Sequence, residues 1–303
     1  MPQDILNHFL PDGSAPSAQG KSANDISLSS FIPVDARVIL DIIRARKEFS
    51  HKGTYGHVLL VAGSNETMGA ALLSAKGCLY GGAGLTTVSI PQNGLTALNA
   101  AMPEVMYLDR KDVPDIKVDK YQVIAVGPGL GTNREAENVL KSILDLNTPL
   151  VIDADALSIL SEKKTLMSVI AEESILTPHV KEFDRLFGPH KTWYARLQTA
   201  HREAQERNLV ILLKNQYTFI AAPDGRIYIN TSGNPGMAQG GMGDVLTGLI
   251  ASYVAQGYSS TEAAIYACYA HGKSGDQLCE TRFNVTASQV AENIPKIVLR
   301  LFK

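Results

Sequence analysis

Short β-rich runs alternate with stretches of helical periodicity from about Ser50 to the C-terminus, and this alternation restricts the possible folds more than any other feature. The runs are 57–63 (HVLLVAG), 85–90 (LTTVSI), 123–127 (VIAVG), 149–153 (PLVID), 174–178 (SILTP) and 209–214 (LVILLK). Between them, Ala71, Leu72, Ala75, Cys78 and Leu79 share one helical face, and Val245, Leu246, Leu249, Ile250, Tyr253 and Val254 share another. Ser259 and Glu262 have capping-box spacing ahead of AAIYACYA. Such a pattern predicts an α/β fold, a doubly wound and mostly parallel central sheet with helices on both faces. Segments 218–222 and 226–230 flank Pro223-Asp224-Gly225, which predicts a small antiparallel hairpin within it.

The chain has 303 residues, enough to bury a sizeable core. Residues 1–34 are expected to be a poorly ordered tail or linker. Their stretch 11–30 (PDGSAPSAQGKSANDISLSS) has few large apolar side chains with which to offset the entropy of ordering. Residues 35–303 then form one domain. The net charge is −2, with Lys and Arg spread along the chain, which argues against nucleic acid or a membrane surface as partner. No apolar run of about 18 residues and no signal peptide is visible. Cys78, Cys268 and Cys279 are odd in number and form no CxxC pair, so buried thiols in a reducing, cytoplasmic compartment are expected.

Open parallel sheets bind ligands beyond the carboxyl ends of their strands, so polar and glycine-rich residues there are the first candidates. The strongest segment is GNPGMAQGGMGDVLTGLI, 233–250, in which Gly240, Gly241 and Gly243 precede an amphipathic helix starting near Asp244. Free amides at a helix N-terminus make an anion site, and glycines let a phosphate approach the backbone. A carboxylate beside that site repels phosphate, but it is well placed to take a proton from a hydroxyl attacking a phosphoryl group. Asp244 is therefore the candidate base; the competing reading is a helix cap on a tight turn.

Other segments are individually weaker. VIAVGPGLGT (123–132) could be part of a dinucleotide fingerprint, with Asp153 following, or a loop packing over a ligand; Thr132 stands where a third fingerprint glycine is required. Asp153 and Asp155 in VIDADAL could orient a hydroxyl or hold Mg²⁺ through water, and Asp155 is read rather as a helix N-cap. His179 and Glu182 share one face at a helix start, where Glu182 is either a magnesium-water ligand or a dipole-complementing residue. Lys214 ends a strand and is either a phosphate counter-charge or a solvated lysine. Small residues at 69–71 open a helix, permitting close approach of a ligand or close helix packing.

Taken in order, SHKGTYGHVLLVAGS, MGAALLSAKG, VGPGLGT, VIDADAL, ILTPHVKEF and GNPGMAQGGMGDVLTG resemble the ADP/ATP-dependent NAD(P)H-hydrate dehydratases of the ribokinase-like superfamily, from about residue 35 to the C-terminus. The resemblance implies a repair reaction in which the S epimer of NADHX or NADPHX is dehydrated at the expense of ADP or ATP. It implies Asp244 as base, with the Gly241–Gly243 amides holding the transferring phosphoryl group. It further implies that Lys214, Asn215, Gln216, Tyr217, Thr218 and Gly243 contact the adenine nucleotide. Ala70, Gly129, Gly131, His179 and Asp244 would contact the hydrate, and Glu182 would support Mg²⁺ through water. The chain departs from the usual pattern at Met242 (Thr or Ser), Gln239 (Thr), Asn215 (Gly) and Ser158 (Asn). Family members are often fused to an N-terminal epimerase; the stretch ahead of the match is too short for one, so an epimerase acting from another chain is expected, as is a homotetramer. Three competing readings use the same residues. One is a ribokinase-like kinase of a vitamin-precursor alcohol, another a degenerate nucleotide-binding member, and the last an NAD-dependent oxidoreductase built on 123–153.

Overall fold

A computed structural model describes residues 3–14 and 26–302. Among the described residues, ten strands form one sheet. In chain order they are β1 (Phe31–Val34), β2 (His57–Val61), β3 (Leu85–Ile90), β4 (Met106–Asp109), β5 (Val123–Val126), β6 (Leu150–Ile152), β7 (Ile175–Leu176), β8 (Val210–Leu213), β9 (Thr218–Ala221) and β10 (Ile227–Asn230). Their spatial order is β1-β10-β9-β8-β7-β6-β5-β2-β3-β4. All pairings are parallel except those of β9, which runs antiparallel to β8 and β10. The doubly wound expectation is borne out, as is the hairpin over Pro223-Asp224-Gly225.

Side-chain alternation divides the core between the two faces. Val58 and Leu60 of β2 pack with α2 (Ala36–Ile42), α3 (Met68–Gly81), α4 (Leu95–Ala101), and the helices later in the chain, α9 (Met242–Ala255) and α10 (Ser260–Cys279). Leu59 and Val61 pack on the opposite face with α5 (Arg134–Leu144) and α6 (Ala154–Glu162). Beside these lie α7 (Val180–Phe187) and α8 (Trp193–Arg207). Helix α11 (Ala287–Arg300) covers α3 and α9 through Ala287 and Ala291. The capping box at Ser259 and Glu262 is formed as expected.

Two strands are absent from the sequence reading, β1 and β4. Both are edge strands of four residues, and β1 contains Pro33, which only an edge tolerates. The sheet therefore begins ahead of residue 35. The N-terminal segment also holds a helix, α1 (Gln3–Phe9), with Leu6 and Leu10 buried against Trp193 and Phe219. Asp12 and Ser14 accept hydrogen bonds from the Trp193 and Tyr194 amides at 2.8 and 2.9 Å. A composition poor in apolar residues overall still anchors where two leucines fall one helical turn apart. Residues 15–25 of the expected tail lie outside the described residues.

What positions the site is the approach of α3 to α9. Gly77 lies on the backbone of Val245, and Gly248 on that of Ser74; neither has room for a Cβ. The Cys78 thiol donates to the Gly248 carbonyl at 3.1 Å. Helix α9 is consequently buried along most of its length, with its first turn, Met242 to Asp244, partly exposed.

Candidate functional site

Helix α9 starts at Met242 after Gly241, whose φ of +89° lies in the left-handed region and whose missing side chain leaves space for Leu73. No side chain caps this start. The first intrahelical acceptor, the Gly241 carbonyl, is taken by Val245 N–H at 3.1 Å. Among the described residues, the amides of Met242, Gly243 and Asp244 find no backbone acceptor, as expected of a first turn. The Met242 side chain packs with Val245, Ala287 and Ala291, so its backbone is presented without obstruction.

Asp244 stands half-buried in this turn. Burial, and then the charges of Asp153 and Asp155, push its carboxyl up to about 6, with Lys214 opposing. A carboxylate that titrates near neutrality beside free helix amides suits proton abstraction close to a bound anion.

Asp153 follows β6 and is 1 % exposed. Its Oδ1 accepts from Lys214 Nζ at 2.7 Å, and its Oδ2 from the Thr247 hydroxyl at 2.6 Å. Burial alone would raise its carboxyl; the Lys214 ammonium and the hydroxyl donors outweigh that and hold it below the usual range. Asp153 is therefore committed inside the protein. Ala154 adopts a φ of +49°, which separates the directions of Asp153 and Asp155. Asp155 Oδ2 accepts from Gly131 N–H at 2.8 Å, so it braces the glycine loop rather than capping its own helix.

That loop is not a dinucleotide fingerprint. Helix α5 starts only at Arg134, capped by Asn133, so the glycines do not open the helix. Instead the Thr67 hydroxyl donates to the Gly129 carbonyl at 2.7 Å, and a Cβ on Gly129 would fall 2.8 Å from the Ala70 methyl. Ala70 therefore meets Gly129, while Gly131 is tied to Asp155, whose charge acts on Asp244; none of the three lines the cleft beside α9.

His179 caps α7. Its Nδ1 accepts from the Lys181 and Glu182 amides at 3.0 and 3.3 Å, while Glu182 Oε2 accepts from His179 N–H at 2.8 Å. Glu182 Oε1 remains 3.5 Å from His179 Nε2. Burial raises the Glu182 carboxyl; burial and the Lys214 charge lower the His179 ring. Among the described residues, no group of three or more His, Cys, Asp or Glu gathers as a metal cluster.

A cleft of about 600 Å³ opens beside the first turn of α9. Lys214, Asn215, Gln216, Tyr217, Thr218 and Gly243 all line it. Tyr217 packs edge-on against Phe9 of α1, with ring centroids 5.4 Å apart, so the N-terminal segment supports the rim. Asn230, Ser232 and His271 also line the cleft and escaped the sequence reading. Asn230 ends a strand at the carboxyl edge, a position that invites suspicion, whereas His271 has no local signal. Burial lowers the His271 ring to about 4, so it is a neutral polar group there. Thr247 was also missed, since one hydroxyl on an apolar helix looks incidental.

The fold is that of a ribokinase-like α/β protein, with a cleft at an uncapped helix start. A ribokinase-like superfamily protein from Enterococcus faecalis superposes with a TM-score of 0.83 at 30% identity, covering 91% of this chain and 98% of that one. More narrowly, residues 58–296 match the NAD(P)H-hydrate dehydratase family, and the chain belongs to it. The ADP-dependent (S)-NAD(P)H-hydrate dehydratase of Lactiplantibacillus plantarum is 33% identical, over 88% of this chain and 97% of its own length. The ADP/ATP-dependent NAD(P)H-hydrate dehydratase of Bacillus subtilis, co-crystallised with ATP and Mg²⁺, matches with a TM-score of 0.77 and 29% identity, covering 89% and 99%. The resemblance read from the six sequence segments is borne out at the level of family.

Proposed function

We propose that this chain dehydrates the S epimer of NADHX or NADPHX to NADH or NADPH, with ADP or ATP as co-substrate. The observation that carries the reading is the uncapped first turn of α9, with Asp244 inside it, at the mouth of a cleft lined by residues 214–218. In this scheme Asp244 takes the proton from the hydroxyl of the hydrated ring. The freed oxygen attacks the terminal phosphoryl of the nucleotide and the bond to the bridging oxygen breaks, so that AMP leaves from ADP or ADP from ATP, while the growing charge meets the amides of 241–243. The ring C–O bond then breaks with its electron pair leaving on inorganic phosphate, and the neighbouring ring carbon gives up a proton to solvent, which restores the dihydronicotinamide.

Lys214 serves the nucleotide as a point charge, and Asn215 to Thr218 shape its side of the cleft. Ala70, Gly129, Gly131 and His179 form the hydrate's side. A magnesium ion would travel with the nucleotide phosphates, since Mg²⁺ commonly keeps its waters and takes only one or two carboxylates. Glu182 fits an outer-sphere role because Oε1 accepts no backbone hydrogen bond while Oε2 closes the cap; the ion would neutralise phosphate charge there. The backbone donors explain why Met242 is compatible with the scheme despite the hydroxyl residue usual at that position. We place the reaction in the cytoplasm, in a homotetramer, with an epimerase acting from a separate chain.

The test is incubation of the protein with authentic NADHX, Mg²⁺ and either nucleotide. Release of inorganic phosphate together with recovery of the near-ultraviolet absorbance of reduced nicotinamide is the expected result. Accumulation of a stable phosphorylated product would instead identify a kinase.

A further inference from the structure

The Asp153, Lys214 and Thr247 cluster is not explained by binding the nucleotide alone. A solvated lysine would suffice to meet a phosphate, yet here the ammonium is held 2.7 Å from a carboxylate that is 1 % exposed. Thr247, from the second turn of α9, closes the other oxygen at 2.6 Å. The cluster also lies directly under the anion turn. A Cβ built on Gly243 would stand 3.6 Å from Lys214 Nζ and 3.9 Å from Asp153 Oδ2. Three separate elements, the ends of β6 and β8 and the start of α9, are tied by these two bonds.

We propose that Asp153 is a positioning residue of the reaction: its two oxygens hold the Lys214 ammonium and the Thr247 hydroxyl beneath the first turn of α9, keeping charge and turn in register with Asp244. The proposal rests on the dehydratase reading above and adds to it how the base is set. Asp153 is negative and cannot itself receive a phosphate. Its effect passes through Lys214, whose ammonium it aims at the turn, and through Asp244, whose proton it makes harder to remove.

The other charged groups around α9 are accounted for. Asp155, on α6, adds a second negative charge towards Asp244. Lys76 on α3 and Glu292 on α11 pair with each other at 3.0 Å. On α10, His271 is buried and neutral. Besides Asp155, the charges acting on Asp244 are those of Asp153 and Lys214, and these two have opposite signs.

The experiment is the pH dependence of kcat/KM for the hydrate, at nucleotide saturating for each variant. Asp153→Asn removes a negative neighbour, so the acid limb moves to lower pH by about one unit. Lys214→Met removes a positive neighbour, and the limb moves the other way. In Asp153→Asn the kcat/KM for the nucleotide also falls, by about 10–100-fold, because the ammonium loses its aim. A scaffold role for Asp153 would lower folded yield but leave the nucleotide kcat/KM of the folded fraction unchanged. Should Asp153→Asn fail to fold, Thr247→Val, which frees one Asp153 oxygen without changing any charge, decides: a fall in the nucleotide kcat/KM supports the positioning role, and an unchanged value overturns it. Limbs unmoved in the folded variants, or both moved in one direction, overturn the proposal. Asp244→Asn is run beside them: native activity in that variant sinks the underlying assignment of the base. Loss there with unmoved limbs elsewhere sinks only the role of Asp153.

Discussion

Helices α7 and α9 both begin at the carboxyl edge of the sheet, and their first turns are treated in opposite ways. In α7, His179 Nδ1 takes two amides, and Glu182 takes the His179 N–H in return. In α9 the position before the helix is glycine, with no side chain to take anything. The α7 turn is closed by its own residues. The α9 turn keeps its donors for a ligand, and the missing cap, which would be worth about 1 kcal/mol to stability, is given up at the place where an anion can supply it. A carboxylate at each start, Glu182 in one and Asp244 in the other, looks similar in sequence. One completes a cap and the other is left to titrate.

The largest test of this contrast is Asp244→Asn. Loss of the base should reduce turnover by about a hundredfold or more, measured on the hydrate with either nucleotide. An equal rate would dissolve the distinction between the two starts. In native protein the rate should decline below pH about 6, as the carboxyl raised by burial takes up its proton. The same group bears on stability. Because the folded state holds this proton more tightly than the unfolded chain, the stabilising contribution is complete below the ordinary carboxylate range. It is lost as the pH rises through about 6. Asp244→Asn should therefore be more stable than native at neutral pH, by about 1–2 kcal/mol, in denaturant titration; no gain would mean that the charge is better solvated than its burial implies.

Gly243→Ala is the next step down. The nearest atoms, Lys214 Nζ and Asp153 Oδ2, leave room for the methyl, and alanine favours a helix by about 0.5–1 kcal/mol. Stability should hold or rise while activity drops at least about tenfold, since the methyl occupies the approach of the phosphate. Full activity would place the phosphate elsewhere. Glu182→Gln keeps an acceptor for the His179 amide, so thermal stability should scarcely change. The Mg²⁺ concentration for half-maximal rate should rise by about threefold or more as one ligand charge is lost. Unchanged magnesium dependence would reduce Glu182 to a cap. His179→Ala opens the α7 turn at a loss of about 1 kcal/mol, read as a lowered Tm.

Much of the fold was legible in local pattern. Six interior strands, the hairpin at Pro223-Asp224-Gly225 and the cap at Ser259 follow from preferences that act over a few residues. Strands β1 and β4 were not legible, because edge strands of four residues are half-solvated and carry weak alternation. Nor was the buried anchorage of Leu6 and Leu10, which depends on α8 and β9 lying opposite. In the candidate site, Gly241, Gly243, Asp244 and Lys214 stood out as types suited to phosphate chemistry, while 215–218 came only from the family resemblance. Asp153 and Asp155 stood out as well, but their uses were misread; they face different partners because of the left-handed turn at Ala154.

By itself, then, the amino-acid order determined where strands, turns and a glycine-bounded helix start must fall, since backbone preference and burial periodicity are properties of neighbouring residues. Tertiary structure alone decided which helix start is sealed and which is open. It also brought Lys214 and Thr247, 61 and 94 positions along the chain, onto the two oxygens of Asp153. Strand order and helix packing set those meetings, and a side chain's charge state follows from the neighbours it meets.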